Sequence, residues 1–163
     1  MDFTRRSFLS VVATIGAACR IAPLSAALEH DPGDLAWHVL FLTNQQRGWR
    51  RVAPLGWSAE LAGLAQAHSA DMMARHFFDH SNPDGFGPAE RLARGGLRLV
   101  VSENLYWIRG GPEDQAQLAS IVVHGWMKNR GHRRNLLDPG FQMVGVGAAG
   151  DRRGLAITQL FGG

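Results

Sequence analysis

Cysteine occurs once, at Cys19, so no internal disulfide can form. Lysine is equally scarce: Lys128 stands against sixteen arginines, a bias that points to the coding habit of a GC-rich bacterial genome rather than to selection for a partner. Basic residues exceed acidic ones by only +3 in spite of a sequence pI near 10.0, which is too thin a margin to support binding of DNA or RNA. Nucleophile signatures are missing as well. No Gly-x-Ser-x-Gly occurs, and no Gly-rich loop is followed by Lys-Ser or Lys-Thr. Repeats, charge blocks and low-complexity stretches are absent. What is present, 163 residues with 45% hydrophobic and 19% charged, is the composition of one soluble globular domain.

The first residues pose a separate problem. Thr4-Arg5-Arg6-Ser7-Phe8-Leu9 resembles a twin-arginine export signal and opens an apolar stretch from Phe8 to Ala18. That stretch falls well short of the roughly 20 residues that span a bilayer, and Arg20 interrupts it. Ser25-Ala26-Ala27 supplies small residues for signal-peptidase cleavage, so residues 1–27 are expected to be a leader and Leu28 the start of a 136-residue mature chain. Losing Arg5, Arg6, Arg20 and Asp2 leaves 14 basic against 13 acidic residues, no cysteine and no membrane span. The protein is thus expected to be exported, to the periplasm or beyond. The lipoprotein alternative, with Gly16-Ala17-Ala18 before Cys19, is weaker because Gly16 stands where such a box prefers Leu.

Residues 28–163 read as one unit. Asp31 or Asp34 is placed to cap a helix through about Arg47, with Leu35, Val39 and Leu42 on its apolar stripe. Ser58 caps a second helix, along which Leu61, Leu64, Ala65, His68 and Met72 recur at helical spacing as far as His76. The turn cluster Ser81-Asn82-Pro83-Asp84-Gly85 must follow it. Pro88 starts a short helix to about Arg94, Leu97 to Trp107 reads as extended, and a long helix is expected from Gly110-Gly111-Pro112 to about Arg130, stopped by Gly131. Two β segments close the chain, Met143 to Ala148 and Leu155 to Phe161, joined by a hairpin at Gly150 to Gly154. Helices first and an antiparallel sheet last make an α+β fold.

With no nucleophile motif, any chemistry must come from histidines and carboxylates. His38, His68 and His124 lie inside helices, where a lone histidine usually packs, so all three are read as structural. His76-Phe77-Phe78-Asp79-His80 has the inverted zinc-peptidase spacing, but Asp replaces Glu and the turn at Ser81 denies the pair its helix. His80, Glu103 and His132 each stand at an element boundary, His80 ahead of a turn, Glu103 in or beside the first extended segment and His132 directly after the glycine stop. Two imidazoles and a carboxylate would suit zinc or another divalent metal with an open water position. Their spacing alone does not show that they meet.

Several segments, in order, resemble the CAP superfamily, the domain of cysteine-rich secretory proteins, antigen 5 and pathogenesis-related type 1 proteins, in its cysteine-poor bacterial branch. They are Asn44-Gln45-Gln46-Arg47, Pro54 to Leu61, Ala67 to Met72, Phe77 to Gly85, Ser102-Glu103-Asn104-Leu105, Trp126-Met127, Gly131 to Leu137, Phe141 with Val144-Gly145-Val146-Gly147, and Thr158 to Gly162. The resemblance covers about Leu40 to Gly162 and implies an α-β-α sandwich with a small, mainly antiparallel sheet. It also implies a cleft of two His and two Glu able to bind a divalent metal. His80, Glu103 and His132 match three of those positions, and the fourth falls on Asn129, a weaker donor, so zinc or a similar ion would be held only weakly. Ser102 replaces the usual Gly before Glu103. Since the family shares no common reaction, two functions follow from the resemblance. The favoured one is a secreted binding module for a small apolar or cell-envelope ligand. The alternative is a metal-dependent hydrolase in which His80 and His132 hold the metal and Glu103 serves as ligand or base.

Overall fold

A strand can press a helix against one of its faces only where its side chains are small, and Val144-Gly145-Val146-Gly147 alternates large and small for that purpose. The computed structural model describes residues 35–163; the expected leader, its cleavage site, Cys19 and the Asp31 or Asp34 cap lie outside them. The elements are α1 (Leu35–Gly48), β1 (Gly56–Trp57), α2 (Ala59–Arg75), α3 (Pro88–Arg94), β2 (Val101–Ile108), α4 (Gln115–Lys128), α5 (Arg130–Leu137), β3 (Met143–Asp151) and β4 (Gly154–Gly162). The strands form one sheet in the order β1-β3-β4-β2, with β1 parallel to β3 and the other two pairings antiparallel.

Side chains divide by parity. On β3 and β4, Val144, Val146, Ile157 and Phe161 pack with α1, α4 and α5 around the buried Trp126. On the other face, Leu160 packs with Leu61 and Ala65 of α2 and Leu92 of α3, and Ala156 with Met72 and Leu105. Gly145 and Gly147 face α2 so closely that a Cβ on either would lie 2.1 Å from the helix backbone. The result is the expected α+β fold, an α-β-α sandwich with a mainly antiparallel sheet in the middle.

Local signals explain most element ends. Ser58 caps α2 by accepting from the Leu61 N–H at 3.2 Å. The helix ends at Arg75, earlier than the turn cluster, because His76 adopts the left-handed conformation and returns its N–H to the Met72 carbonyl. Val101 to Ile108 is the extended segment proper, and Val100 pairs only with Gly163. The long helix expected to run to Arg130 is two helices. Asn129 closes α4 and then opens α5, its Oδ1 accepting from the N–H groups of Gly131 at 2.9 Å and His132 at 3.1 Å. Gly131 therefore lies inside α5 rather than ending a helix, and His132 occupies a first helical turn.

Candidate functional site at the edge strand

The edge strand β2 presents Glu103 to the α2 face and Asn104 to the α1 and α5 face, since their register partners on β4 are Leu160 and Gln159. A buried carboxylate is costly unless it is paired. Glu103, with a side chain only 1% exposed, has both oxygens engaged. Oε1 accepts from His80 Nδ1 at 2.9 Å, and Oε2 accepts from Arg91 Nη2. Arg91 reaches in from α3, and its Nη1 also donates to the carbonyls of His80, at 2.6 Å, and Phe86, at 3.0 Å. The guanidinium thus ties the 80–86 loop to the strand.

Because a carboxylate only accepts, His80 carries a proton on Nδ1 and turns Nε2 outward, with half of its side chain exposed. The hydrogen bond to Glu103 raises the His80 pKa above its ordinary value. His132 is pushed the other way, first by burial and then by the neighbouring His80. Its backbone is held at the same edge: the His132 carbonyl accepts from Asn104 Nδ2 at 3.2 Å. Asn135, one turn further along α5, donates from Nδ2 to the Glu103 carbonyl at 3.2 Å and to Asn104 Oδ1 at 3.0 Å.

His68, read from the sequence as a packing residue, stands beside the carboxylate. Its Nε2 lies 3.9 Å from Glu103 Oε1 and donates to the Asp79 carbonyl at 3.0 Å. Burial, the largest influence, keeps its pKa low, so the ring is neutral. The ring also packs against Phe77, with centroids 5.8 Å apart. His124 and His38 have no place among these contacts. His76 is a helix cap whose Nδ1 meets Arg153 Nη1 and the Met73 carbonyl, 3.1 Å away, far from a zinc-peptidase pair. Arg91 and the amide relay were invisible in the sequence: an arginine in a short helix looks like any solvent-facing cation, and Asn104 and Asn135 are ordinary polar residues until their partners are known.

The match to the cysteine-rich secretory protein family model runs over residues 40–161. The chain belongs to the CAP family. This CAP domain is 34% identical over 110 residues to the protein YkwD of Bacillus subtilis (strain 168), an alignment that covers 67% of this chain and 40% of YkwD. Among solved structures it resembles an extracellular protein containing an SCP domain from Bacillus anthracis, with a TM-score of 0.67 and 29% identity over 78% of this chain and 40% of that one. It also resembles an outer surface protein of Borrelia burgdorferi, with a TM-score of 0.65 over 76% of this chain and 88% of that one. At 16% identity that likeness speaks for the fold alone. The CAP chain thus spans well under half of YkwD and of the B. anthracis protein.

The four-residue ligand set that the family implies for a divalent metal is not assembled as it stands. Among the described residues no group of three His, Cys, Asp or Glu side chains is arranged to hold an ion. Both Glu103 oxygens are taken, so Glu103 is not free to ligate directly; His80 donates from Nδ1 to it and keeps its lone pair on Nε2, the arrangement in which a carboxylate orients an imidazole. Asn129, the expected fourth position, is exposed and spends its side-chain oxygen on the α5 cap.

Next to this centre, on the same face of β2, lies an open cleft of about 470 Å³. Met72, Phe77, Phe78 and Trp107 line it, and His76, Arg109 and Arg153 complete its wall. Phe78 is 47% exposed and meets Trp107 edge to face, with centroids 5.9 Å apart.

Proposed function

We propose that this CAP domain is an exported binding module for a small apolar or cell-envelope ligand. The observation that carries the reading is the aromatic cleft. A protein that leaves Phe78 exposed and Trp107 and Phe77 partly exposed around one cleft keeps apolar surface available to a ligand. Clefts of this size and lining take small molecules, and the arginines at the rim suit a ligand with one polar or anionic end. Export is supported by the Arg5-Arg6 motif and by the likeness to an extracellular SCP-domain protein. The metal-dependent hydrolase has less behind it, because both oxygens of Glu103 are committed and no carboxylate of the His80, Glu103 and His132 set is free to ligate a metal or act as base.

The test uses 8-anilinonaphthalene-1-sulfonate, an apolar fluorophore with one anionic group, titrated into the mature protein. Saturable binding should weaken at least about tenfold in Phe78→Asp and in Trp107→Ala, the scale expected of aromatic anchors. Binding unchanged in both variants, together with protein purified from its own envelope that carries no small molecule by native mass spectrometry, would remove the proposal. For export, Arg5 and Arg6 replaced together by Lys should strand the precursor in the cytoplasm. Normal yield outside it would show that the pair is not the signal.

A further inference from the structure

A buried carboxylate must have a counter-charge, and at this site the protein supplies its own. Arg91 is held by three oxygens of different origin, the Glu103 carboxylate and the carbonyls of His80 and Phe86. Its side chain is 11% exposed and that of Glu103 1%, so the pair is largely withdrawn from water. Three converging oxygens are what a hard cation seeks, and a guanidinium fills the place. We infer that Arg91 is the resident cation of this centre and that it excludes divalent metal from Glu103.

Three features support the assignment. A dication approaching Glu103 meets a charge already neutralised, so the attraction that drives metal binding to a carboxylate is largely spent. Because His80 gives its Nδ1 proton to Glu103, the lone pair it could offer a metal is on Nε2, on the other side of the ring, so an ion held there would not replace Arg91 at the Glu103 oxygens. Displacing Arg91 would also strip donors from the carbonyls of His80 and Phe86 and loosen the loop between them. The departure from the family's metal-binding set is therefore centred on Arg91, while Asn129 is committed to capping α5. This inference is independent of the ligand of the aromatic cleft, which Arg91 does not line.

The experiment is calorimetric titration of zinc chloride into the mature protein near neutral pH, beside Arg91→Met, Arg91→Lys and the double variant Arg91→Met/Glu103→Gln. The unmodified protein and Arg91→Lys should show no one-to-one binding that depends on Glu103. Arg91→Met should bind zinc at least about tenfold more tightly, and the double variant should lose the gain. Glu103-dependent one-to-one binding in the unmodified protein would overturn the inference, as would a folded Arg91→Met with no gain. Should Arg91→Met fail to fold, nitrogen NMR of the unmodified protein decides. An Arg91 side-chain signal unmoved by excess zinc upholds the exclusion, and one that shifts to saturation at one equivalent ends it. Loss of the fluorophore in the cleft variants leaves these titrations unchanged, so the two proposals fail separately.

Discussion

Asn129 separates two helices because its side chain can do what a backbone cannot, accepting from the exposed N–H groups that begin α5 while its own N–H closes α4. Asn129→Ala should therefore cost about 1 kcal/mol, and Asn129→Asp, an equally good cap, should stay within about 0.5 kcal/mol of the parent in urea unfolding. The histidines set a pH dependence whose sign follows from their neighbours. His80 has a raised pKa, so its contribution is fully present below the ordinary value of 6.5 and is lost as pH rises through the folded value. His68 and His132 have lowered values, so the unfolded chain binds their protons first and stability falls as pH drops below 6.5. Together they place a stability maximum near 6.5. Urea midpoints measured from about pH 5 to about pH 8 should show it, and His80→Asn should flatten the alkaline side while easing the acid side slightly, since His80 also lowers the His132 pKa. A parent midpoint rising steadily to pH 8 would contradict the assignment.

At the scale of elements, what was legible in the sequence is what local chemistry dictates. The Ser58 cap, the Pro88 start and the closing hairpin each stand on residues that act on their own neighbourhood. The α4–α5 break was missed because Gly131 carries a general stop signal, whereas Asn129 is recognisable as a cap only once a second helix follows. The parallel contact of β1 with β3 joins segments far apart in the chain through two residues, which no periodicity can reveal. In the site, His80 before its turn and Glu103 on the extended segment were legible, but Arg91 and His68 enter it only because α3 and α2 pack on the same sheet face. The glycines of β3 record that packing. Gly145→Ala or Gly147→Ala should cost more than about 3 kcal/mol, since a Cβ there would displace the α2 backbone. Gly63→Ala, within α2 and with open space around it, should instead stabilise by up to about 1 kcal/mol. Thermal melts of the three variants check both signs.

At the scale of the whole molecule, two of the buried polar systems among the described residues tie helices across the layers in register. A relay of Asn135, Asn104, Gln159 and Thr43 runs from α5 through β2 and β4 to α1, with Gln159 Nε2 donating to Thr43 Oγ1 at 3.0 Å, and it fixes α5, hence His132, against the edge strand. The second system is Arg47, at the foot of the α1 stripe formed by Leu35, Val39 and Thr43. It is fully buried and donates from Nε to the Ala53 carbonyl at 2.7 Å, from Nη1 to those of Leu136 at 2.9 Å and Asp138 at 3.0 Å, and from Nη2 to that of Phe141 at 3.2 Å. Burial lowers its pKa and the nearby Asp138 works against that, yet an arginine keeps its charge. One planar fork thus satisfies the end of α5 and two loops, a geometry that a lysine, with three donors on a single nitrogen, cannot span. Arg47→Met fills similar space but leaves four carbonyls short of a donor. At about 1–3 kcal/mol for each one that stays buried, the expected loss exceeds about 3 kcal/mol. Arg47→Lys should recover only part of it. Chemical unfolding of both variants is the measurement, and a fully stable Arg47→Met would mean that water replaces the guanidinium at these carbonyls.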